Sequence, residues 1–135
     1  IAQYLTHAAM LRNWGYTALA DQLRKESIDE TAHAERLINR ILYLEGVPGL
    51  ELAEAPQIGA NVTEQIQNDL GLQHRAVKRL NDGIAVARKE GDHSSADLLV
   101  KILVDEEEHV NTLQTQLSLI EKLGENHFLL AQLRT

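Results

Sequence analysis

The fold is decided by residues 46–60, which read GVPGLELAEAPQIGA. This stretch contains both prolines of the chain and three of its eight glycines. Because proline and glycine interrupt regular helices, the stretch predicts a long connection between two helical regions. Fully extended at about 3.3 Å per residue, a segment of this length reaches about 50 Å.

On either side of this connection, apolar residues recur at steps of three and four, which indicates helices. The expected helices are Ile1 to about Asn13, about Thr17 to Glu45, about Val62 to Glu90 and about Ser94 to Leu123, with a short fifth helix around His127–Leu130. Thr17 is the expected N-cap of the second helix, and Asn61 or Thr63 that of the third. A helix of about 28 residues is about 42 Å long, so the connection can run back along the whole bundle. The sequence predicts an all-α four-helix bundle with one long crossover, formed as a single domain by residues 1–135.

The composition excludes several classes of protein. The net charge of −7 disfavours nucleic acid as a partner, because phosphate would be repelled. Such a charge suits cations, and it is also ordinary for soluble proteins. The absence of cysteine excludes disulfides and thiolate metal sites. Since no apolar run approaches the roughly 20 residues of a membrane span, we expect a cytoplasmic protein without a membrane partner. The chain begins with Ile1, so we expect the first helix to be incomplete at its N-terminus.

Polar residues interrupt the apolar faces of the second, third and fourth predicted helices near mid-length. The interruptions are Glu26, Glu30 and His33 on the second helix, Asp69 and Gln73 on the third, and Glu106 and His109 on the fourth. The second and fourth helices each carry one Glu-x-x-His segment, whose carboxylate and imidazole lie side by side. Burying uncompensated carboxylates is costly, and a divalent cation would supply the compensation. The alternative is that each pair forms hydrogen bonds in the core, or that residues 106–109 form a solvated acidic face.

Four stretches of the chain resemble the bacterioferritins, the haem-containing branch of the ferritin-like family. They are Asn13-Trp14-Gly15, Glu26–Glu30 with His33, Ile41–Gly46 with Pro48, and Asp105–His109. The resemblance covers the whole chain and implies a ferritin-like bundle. It also implies a hollow shell of 24 subunits that oxidises Fe(II) at a di-iron site in each subunit, stores Fe(III) as mineral, and binds haem between subunits.

The resemblance also assigns residues. Glu30, His33, Glu106 and His109 match four di-iron ligands, and Tyr4 matches a tyrosine beside that site. The bridging glutamate of the family falls on Gln73, which is neutral, and Asp69 is an alternative carboxylate one turn earlier. The helix-one glutamate would lie four positions before Ile1. The methionine that binds haem falls on Thr31, a poor haem ligand. These residues predict a di-iron or single-iron site and leave haem binding in doubt.

Two functions remain open from the sequence. The first is an iron-storage subunit that binds Fe(II) and acts as a ferroxidase. The second is a structural shell subunit with a non-functional centre, which co-assembles with a haem-binding, ferroxidase-competent subunit. A rubrerythrin-type oxidase is a weaker third reading, since the lack of cysteine excludes an attached rubredoxin-like iron site.

The other polar residues near the pattern are less informative. Glu26 and Asp29 flank the site and are interpreted either as facing the shell interior or as solvated or hydrogen-bonded side chains. The remaining histidines, His7, His74, His93 and His127, are interpreted as surface or packing residues, and Met10 as a core residue.

Overall fold

The computed structural model describes residues 1–49 and 54–133. In these residues the regular elements are all helices: α1 (Ala2–Asn13), α2 (Thr17–Tyr43), α3 (Val62–Lys89), α4 (His93–Leu123) and the short α5 (Glu125–Leu130). The prediction of an all-α bundle with a short fifth helix is confirmed. The helices begin and end close to the expected residues, because glycine turns and a side-chain cap mark most of these boundaries.

Side-chain contacts give the direction of each helix. Gln22 of α2 contacts Gln116 of α4, and Arg40, farther along α2, contacts Ser95 near the start of α4. Helices α2 and α4 are therefore antiparallel. The short joint at residues 90–92 makes α3 and α4 antiparallel as well. It follows that α2 and α3 run in the same direction.

Because α2 and α3 are parallel, their connection must return along the bundle, as the predicted crossover does. Five hydrogen bonds join its second half to α1 and α3. The Gln57 N–H donates to Gln3 and the Gly59 N–H to His7, and three bonds come from α3: Arg75 to Glu54, Asn68 to the Gln57 carbonyl and Gln65 to the Gly59 carbonyl. We call residues 54–60 the strap. The middle of the predicted crossover, residues 50–53, lies outside the described residues.

One predicted cap is wrong. Thr17 is the first helical residue of α2 rather than its N-cap, and Tyr16 occupies the cap position without a side-chain hydrogen bond. The start of α2 is set instead by the backbone turn at Gly15, where φ is +93° and the Tyr16 N–H donates to the Leu11 carbonyl. In contrast, Asn61 caps α3 as expected by accepting a hydrogen bond from the Glu64 N–H.

The apolar core fills one part of the bundle and receives side chains from every helix. Its buried members are Tyr4, Ala8, Leu11, Leu19, Ala20, Leu23, Val62, Ile66, Leu113 and Phe128. Met10, expected in the core, is half-buried, and its sulfur accepts a hydrogen bond from Gln65. Packing around this cluster fixes the helices that carry the polar centre.

Within the described residues, none of the helices combines the length and the apolar character needed to cross a bilayer.

Candidate metal centre

The polar interruptions of α2 and α4 meet in the middle of the bundle. Glu30 and His33 lie halfway along α2, and Glu106 and His109 lie halfway along α4. Because the two helices are adjacent and antiparallel, the two Glu-x-x-His segments face each other. His33, Glu106 and His109 are buried, and Glu30 is half-buried. These four side chains form what we call the centre.

Three groups of the centre converge closely. Glu30, Glu106 and His109 each offer one donor atom, and these atoms lie within 4.8 Å of one another. His109 Nδ1 lies 3.3 Å from Glu30 Oε1 and 3.8 Å from Glu106 Oε2, without hydrogen-bond geometry to either. Carboxylate oxygen and imidazole nitrogen are both ligands of first-row transition metals. The three side chains can therefore bind one such ion between them.

His33 approaches the same carboxylates from the α2 side. Its Nδ1 lies 3.0 Å from Glu106 Oε1, in a hydrogen bond, and 3.9 Å from Glu30 Oε2. Its other nitrogen, Nε2, lies 2.9 Å from Asp105 Oδ2. A metal ion bound at His33 Nδ1 would replace the hydrogen bond between this nitrogen and Glu106. Asp105 would continue to orient the ring through Nε2.

Two aspartates that the sequence analysis did not assign to the centre support its imidazoles. Asp105 of α4 contacts His33 of α2, and Asp29 of α2 lies 3.8 Å from Nε2 of His109 on α4. Each aspartate thus faces the imidazole of the other helix. The sequence contained a signal for these two aspartates, because the repeated motif is five residues long: Asp-Glu-x-x-His begins at both Asp29 and Asp105.

The charges of the centre depend on one another. Burial alone would raise the pKa of Glu30, but His109 and Glu106 beside it outweigh burial and lower the pKa to about 2. Burial would lower the pKa of His109, but the carboxylates of Glu106 and Glu30 raise it to about 10. Burial raises the pKa of Glu106, and the Glu30 charge adds to this effect. In the metal-free protein, a proton on His109 therefore supplies positive charge that a cation would supply otherwise.

Glu26 lies one turn before Glu30 and is buried, with only 6% of its surface exposed. Burial raises its pKa above the usual range. Gln22 donates a hydrogen bond of 3.4 Å to its Oε1. Of the interpretations considered for Glu26, the hydrogen-bonded one fits the structure, since the side chain is neither solvated nor directed outward. Asp29, in contrast, is half-buried.

Several buried atoms around the centre have no hydrogen-bond partner. They are Glu26 Oε2, Glu30 Oε1, Gln73 Oε1, Glu106 Oε2 and His109 Nδ1. Orphaned buried polar atoms are costly, and their concentration in one place calls for a missing partner. A cation fits, because all five atoms are oxygen or nitrogen donors.

Gln73 of α3 is buried and is bound to Tyr4 of α1. Its amide N–H donates to the Tyr4 hydroxyl, so its carbonyl oxygen is left without a donor. Burial raises the pKa of Tyr4, and the negative charges of Asp69, Glu26 and Glu30 add to this effect. Tyr4 therefore lies within electrostatic reach of the centre, as the family resemblance implies.

Asp69, the alternative carboxylate, is engaged elsewhere. Its Oδ1 accepts a hydrogen bond from Gln3 at 2.8 Å and lies 2.9 Å from His7 Nδ1. His7 Nε2 accepts the Gly59 N–H, so the ring is neutral and its Nδ1–H donates to Asp69. His7 is therefore a fully buried packing residue, whereas His74, His93 and His127 are exposed.

Thr31, the residue at the position that the resemblance assigns to haem, does not fit a haem ligand. Thr31 uses its hydroxyl within α2, where it donates to the Ser27 carbonyl at 3.1 Å. The only methionine, Met10, lies on α1, and its sulfur accepts a hydrogen bond from Gln65. Among the described residues, no thioether is thus presented at the position that the resemblance assigns to haem.

Two open cavities reach the centre. The first, of about 580 Å³, is lined by Ile1, Ala34, Leu37, Ala76, Arg79, Leu80, Leu99 and Ile102, and by Glu30, His33 and Glu106 of the centre. The second, of about 360 Å³, is lined by Lys25, Asp29, Ala32, Arg36, Asp105 and Glu108, and by His33 and His109. Of the four residues of the centre, the first cavity exposes Glu30, His33 and Glu106, and the second exposes His33 and His109.

Comparisons with known proteins identify a family and relatives that cover most of the chain. Residues 1–123 match the family described as a ferritin-like domain. The chain is 46% identical over 125 residues to a bacterioferritin of Mycobacterium bovis, which covers 93% of this chain and 79% of the relative. It is 44% identical to the bacterioferritin of Mycobacterium leprae over the same shares, and 42% identical to a bacterial ferritin of Synechocystis over 97% of this chain and 85% of the relative.

The chain belongs to the bacterioferritin family. Its resemblance to bacterioferritins, predicted from four short stretches, is confirmed over most of the chain. Membership supports an iron-storage, ferritin-like subunit that forms part of an oligomeric shell. The roles of the individual centre residues stay predictions.

Proposed function

We propose that this bacterioferritin-family chain binds Fe(II) at Glu30, His33, Glu106 and His109 and oxidises it slowly, as part of an iron-storing shell. One observation carries the proposal: donor atoms of Glu30, Glu106 and His109 lie within 4.8 Å of one another, deep in the bundle. Burial of two carboxylates at one point costs several kcal/mol unless a positive charge accompanies them. In a member of this family, a bound iron ion would supply that positive charge.

Each residue of the centre has a separate task. Glu30 and Glu106 neutralise the charge of the ion, and His33 and His109 donate neutral nitrogen atoms. His109 must first lose its proton, because an imidazolium has no free lone pair at Nδ1. Asp29 and Asp105 hold the rings in place through their outer nitrogens, as outer partners of metal-bound imidazoles commonly do.

Slow oxidation follows from Gln73. An amide carries no negative charge, and its single carbonyl oxygen cannot bridge two cations as a carboxylate does. Here that oxygen is a neutral donor at most, because the amide nitrogen is occupied by Tyr4. When bound, a pair of iron ions would supply the redox chemistry towards oxygen, and this chain holds such a pair less tightly than a chain with a third carboxylate at position 73.

The test compares metal-free shells of the wild type and of Gln73→Glu after addition of Fe(II) in air. We expect the wild type to show slow growth of the ferric absorbance and Gln73→Glu to show an initial phase about tenfold faster. Gln67→Glu is the matched control, since it makes the same change at an exposed position of α3 and should behave as the wild type. A fast stoichiometric phase in the wild type would show that the centre works without the carboxylate.

A second function is favoured by Gln73 and Thr31 together, since both lack the chemistry that the family uses at these positions. In this reading the chain is a structural shell subunit, and a different subunit supplies the working centre and the haem ligand. It predicts that the shell of this chain alone binds no iron at the centre. It also predicts that a mixed shell contains a second kind of chain, which mass spectrometry of the native particle would detect. From the family resemblance we propose a shell of 24 subunits, whether it contains one kind of chain or two.

A further inference from the structure

A small cavity of about 10 Å³ lies between the first four helices, each of which contributes to its wall. None of the four residues of the centre lines it. Six of its lining residues are apolar, and the other four are Gln22, Gln65, Asp69 and Gln116. A cavity of this volume has room for about one water molecule, and a cavity with polar groups in its wall can hold one.

Gln65 of α3 gives the clearest sign of a bound molecule. It is only 1% exposed. Its amide nitrogen donates to the Gly59 carbonyl at 3.3 Å and to Met10 Sδ at 3.6 Å. Because both of these partners are acceptors, they fix which side of the amide carries the nitrogen. The oxygen on the other side, Oε1, is buried and accepts no hydrogen bond from the protein, so it requires a donor.

Asp69 provides a second acceptor in the wall of the cavity. It is as deeply buried as Gln65, at 1% exposed. Its two hydrogen bonds, from Gln3 and His7, both end on Oδ1. The other carboxylate oxygen, Oδ2, can therefore accept from a molecule in the cavity.

The two remaining polar residues supply N–H donors. Gln116 Nε2 donates to the Gln22 carbonyl oxygen at 3.2 Å, and Gln22 Nε2 donates to Glu26 at 3.4 Å. Each primary amide has two N–H groups, and these bonds use one of each. A molecule in the cavity thus meets acceptors from α3 and donors from α2 and α4.

We propose that this cavity is the binding site of one internal water molecule. The water donates to Gln65 Oε1 and Asp69 Oδ2. It accepts from an amide N–H of Gln22 or Gln116. Water fits because it both donates and accepts, and because buried waters typically make about three hydrogen bonds. This inference goes beyond the proposed function and requires no metal ion.

The water joins two hydrogen-bond networks that lie on different helices. One network runs from Gln116 of α4 through Gln22 to Glu26 of α2. The other connects α1, the strap and α3 through Asp69. With water in the cavity, the four helices and the strap share a single buried network.

The test is a crystal structure of the metal-free shell at a resolution that shows ordered water. We expect one water peak in the cavity of the wild type, about 2.6–3.0 Å from Gln65 Oε1 and from Asp69 Oδ2. Gln65→Met keeps a side chain of similar length and removes the acceptor, so the peak should be lost. The matched control is Gln67→Met, the same change at an exposed position of α3, which should keep the peak.

The wild-type density is decisive even if Gln65→Met fails to assemble. A cavity without a peak would overturn the proposal. A peak about 2.4 Å from the surrounding oxygens would be a metal cation, and water would then be the wrong ligand. A peak that persists unchanged in Gln65→Met would show that Gln65 does not hold the water, and this too would contradict the assignment.

Discussion

At the scale of single residues, the most informative feature is the exchange of carboxylates between the two Asp-Glu-x-x-His segments. The aspartate of each segment faces the imidazole of the other, so each ring has one nitrogen towards the centre and one towards an outer acid. A carboxylate in hydrogen-bond contact with the outer nitrogen orients an imidazole, and Asp105 is placed to do so at 2.9 Å from His33. Asp29 lies farther from His109, at 3.8 Å, and acts on it through charge.

The proton on His109 makes metal binding dependent on pH. Its pKa is about 10 in the folded protein against 6.5 ordinarily, so a metal ion must displace this proton at any pH below about 10. We expect the affinity for Co(II) to rise by up to about tenfold per pH unit between pH 6.5 and 8.5, with about one proton released per ion. Calorimetry in buffers of different ionisation enthalpy measures this release.

The proton on His109, which opposes metal binding, stabilises the folded state of the metal-free protein. Because the folded pKa of His109 is raised, its stabilising effect is complete below pH 6.5 and is lost as the pH rises through 10. His74→Gln, at an exposed position, is the control and should leave both pH dependences unchanged. Co(II) affinity that is independent of pH in the wild type would contradict the protonated state of His109.

Some of the buried polar residues could be predicted from the sequence, and others could not. Glu30, His33, Glu106 and His109 were predictable because they interrupt apolar faces at helical spacing, and a single face of a helix is a local property. The network of Gln3, His7 and Asp69 was not, since its partners lie more than 60 positions apart and their meeting depends on how α1 packs on α3.

At the scale of the elements, the strap connects the crossover to the bundle through backbone groups. The N–H groups of Gln57 and Gly59 donate to Gln3 and His7 of α1. These side chains also contact Asp69 of α3, so the strap, α1 and α3 share one buried hydrogen-bond network. The network lies beside Tyr4 and Gln73 and thereby fixes the α1–α3 side of the centre.

Gly59 is required where the strap approaches α3. A Cβ at this position would lie 2.4 Å from the Gln65 nitrogen and 2.7 Å from its Cα, both of them backbone atoms that cannot move aside. We expect Gly59→Ala to lower the free energy of unfolding by about 2 kcal/mol, at the cost typical of overpacking that shifts the backbone. Thermal melting measures the effect.

Gly71 provides the matched comparison. It lies inside α3, where an added Cβ would meet only the end of the Arg75 side chain, at 3.2 Å. Gly71→Ala should therefore stabilise the protein by roughly 0.5–1 kcal/mol, since alanine favours the helix interior. Equal melting temperatures for the two variants would show that the strap does not pack closely on α3.

The elements themselves were largely predictable. Residues 46–60 contain both prolines, and helix length together with connection length predicted parallel α2 and α3, which the contacts of α2 with α4 confirm. The start of α2 was missed, because a turn at Gly15 and not a side-chain cap sets it. Backbone turns of this kind leave a weaker trace in sequence than a capping side chain does.

At the scale of the whole molecule, α2 presents large apolar side chains to the exterior. Ile28 is 61% exposed and Tyr43 is 73% exposed. Exposed apolar surface on one helix is typical of a contact between subunits. Thr31, one turn after Ile28, lies on the same side of α2, where the resemblance implies haem between two subunits.

Haem content tests this placement. We expect the shell of the wild type to lack haem, and Thr31→Met to bind it, because methionine would present a thioether where threonine turns its hydroxyl back to Ser27. The measurement is the Soret absorbance after purification with added haem. Thr31→Leu is the control, since it has similar bulk without sulfur and should show no such band. A strong Soret band in the wild type would contradict the absence of a haem ligand.

The crossover divides the chain into two helical hairpins, α1–α2 and α3–α4, and every contact between an imidazole and a carboxylate of the opposite segment joins one hairpin to the other. Neither hairpin alone can assemble the four ligands, so an ion can be captured only after the halves have docked. Bound metal would therefore slow the separation of the two hairpins during unfolding. It would leave the rate at which the hairpins first come together almost unchanged.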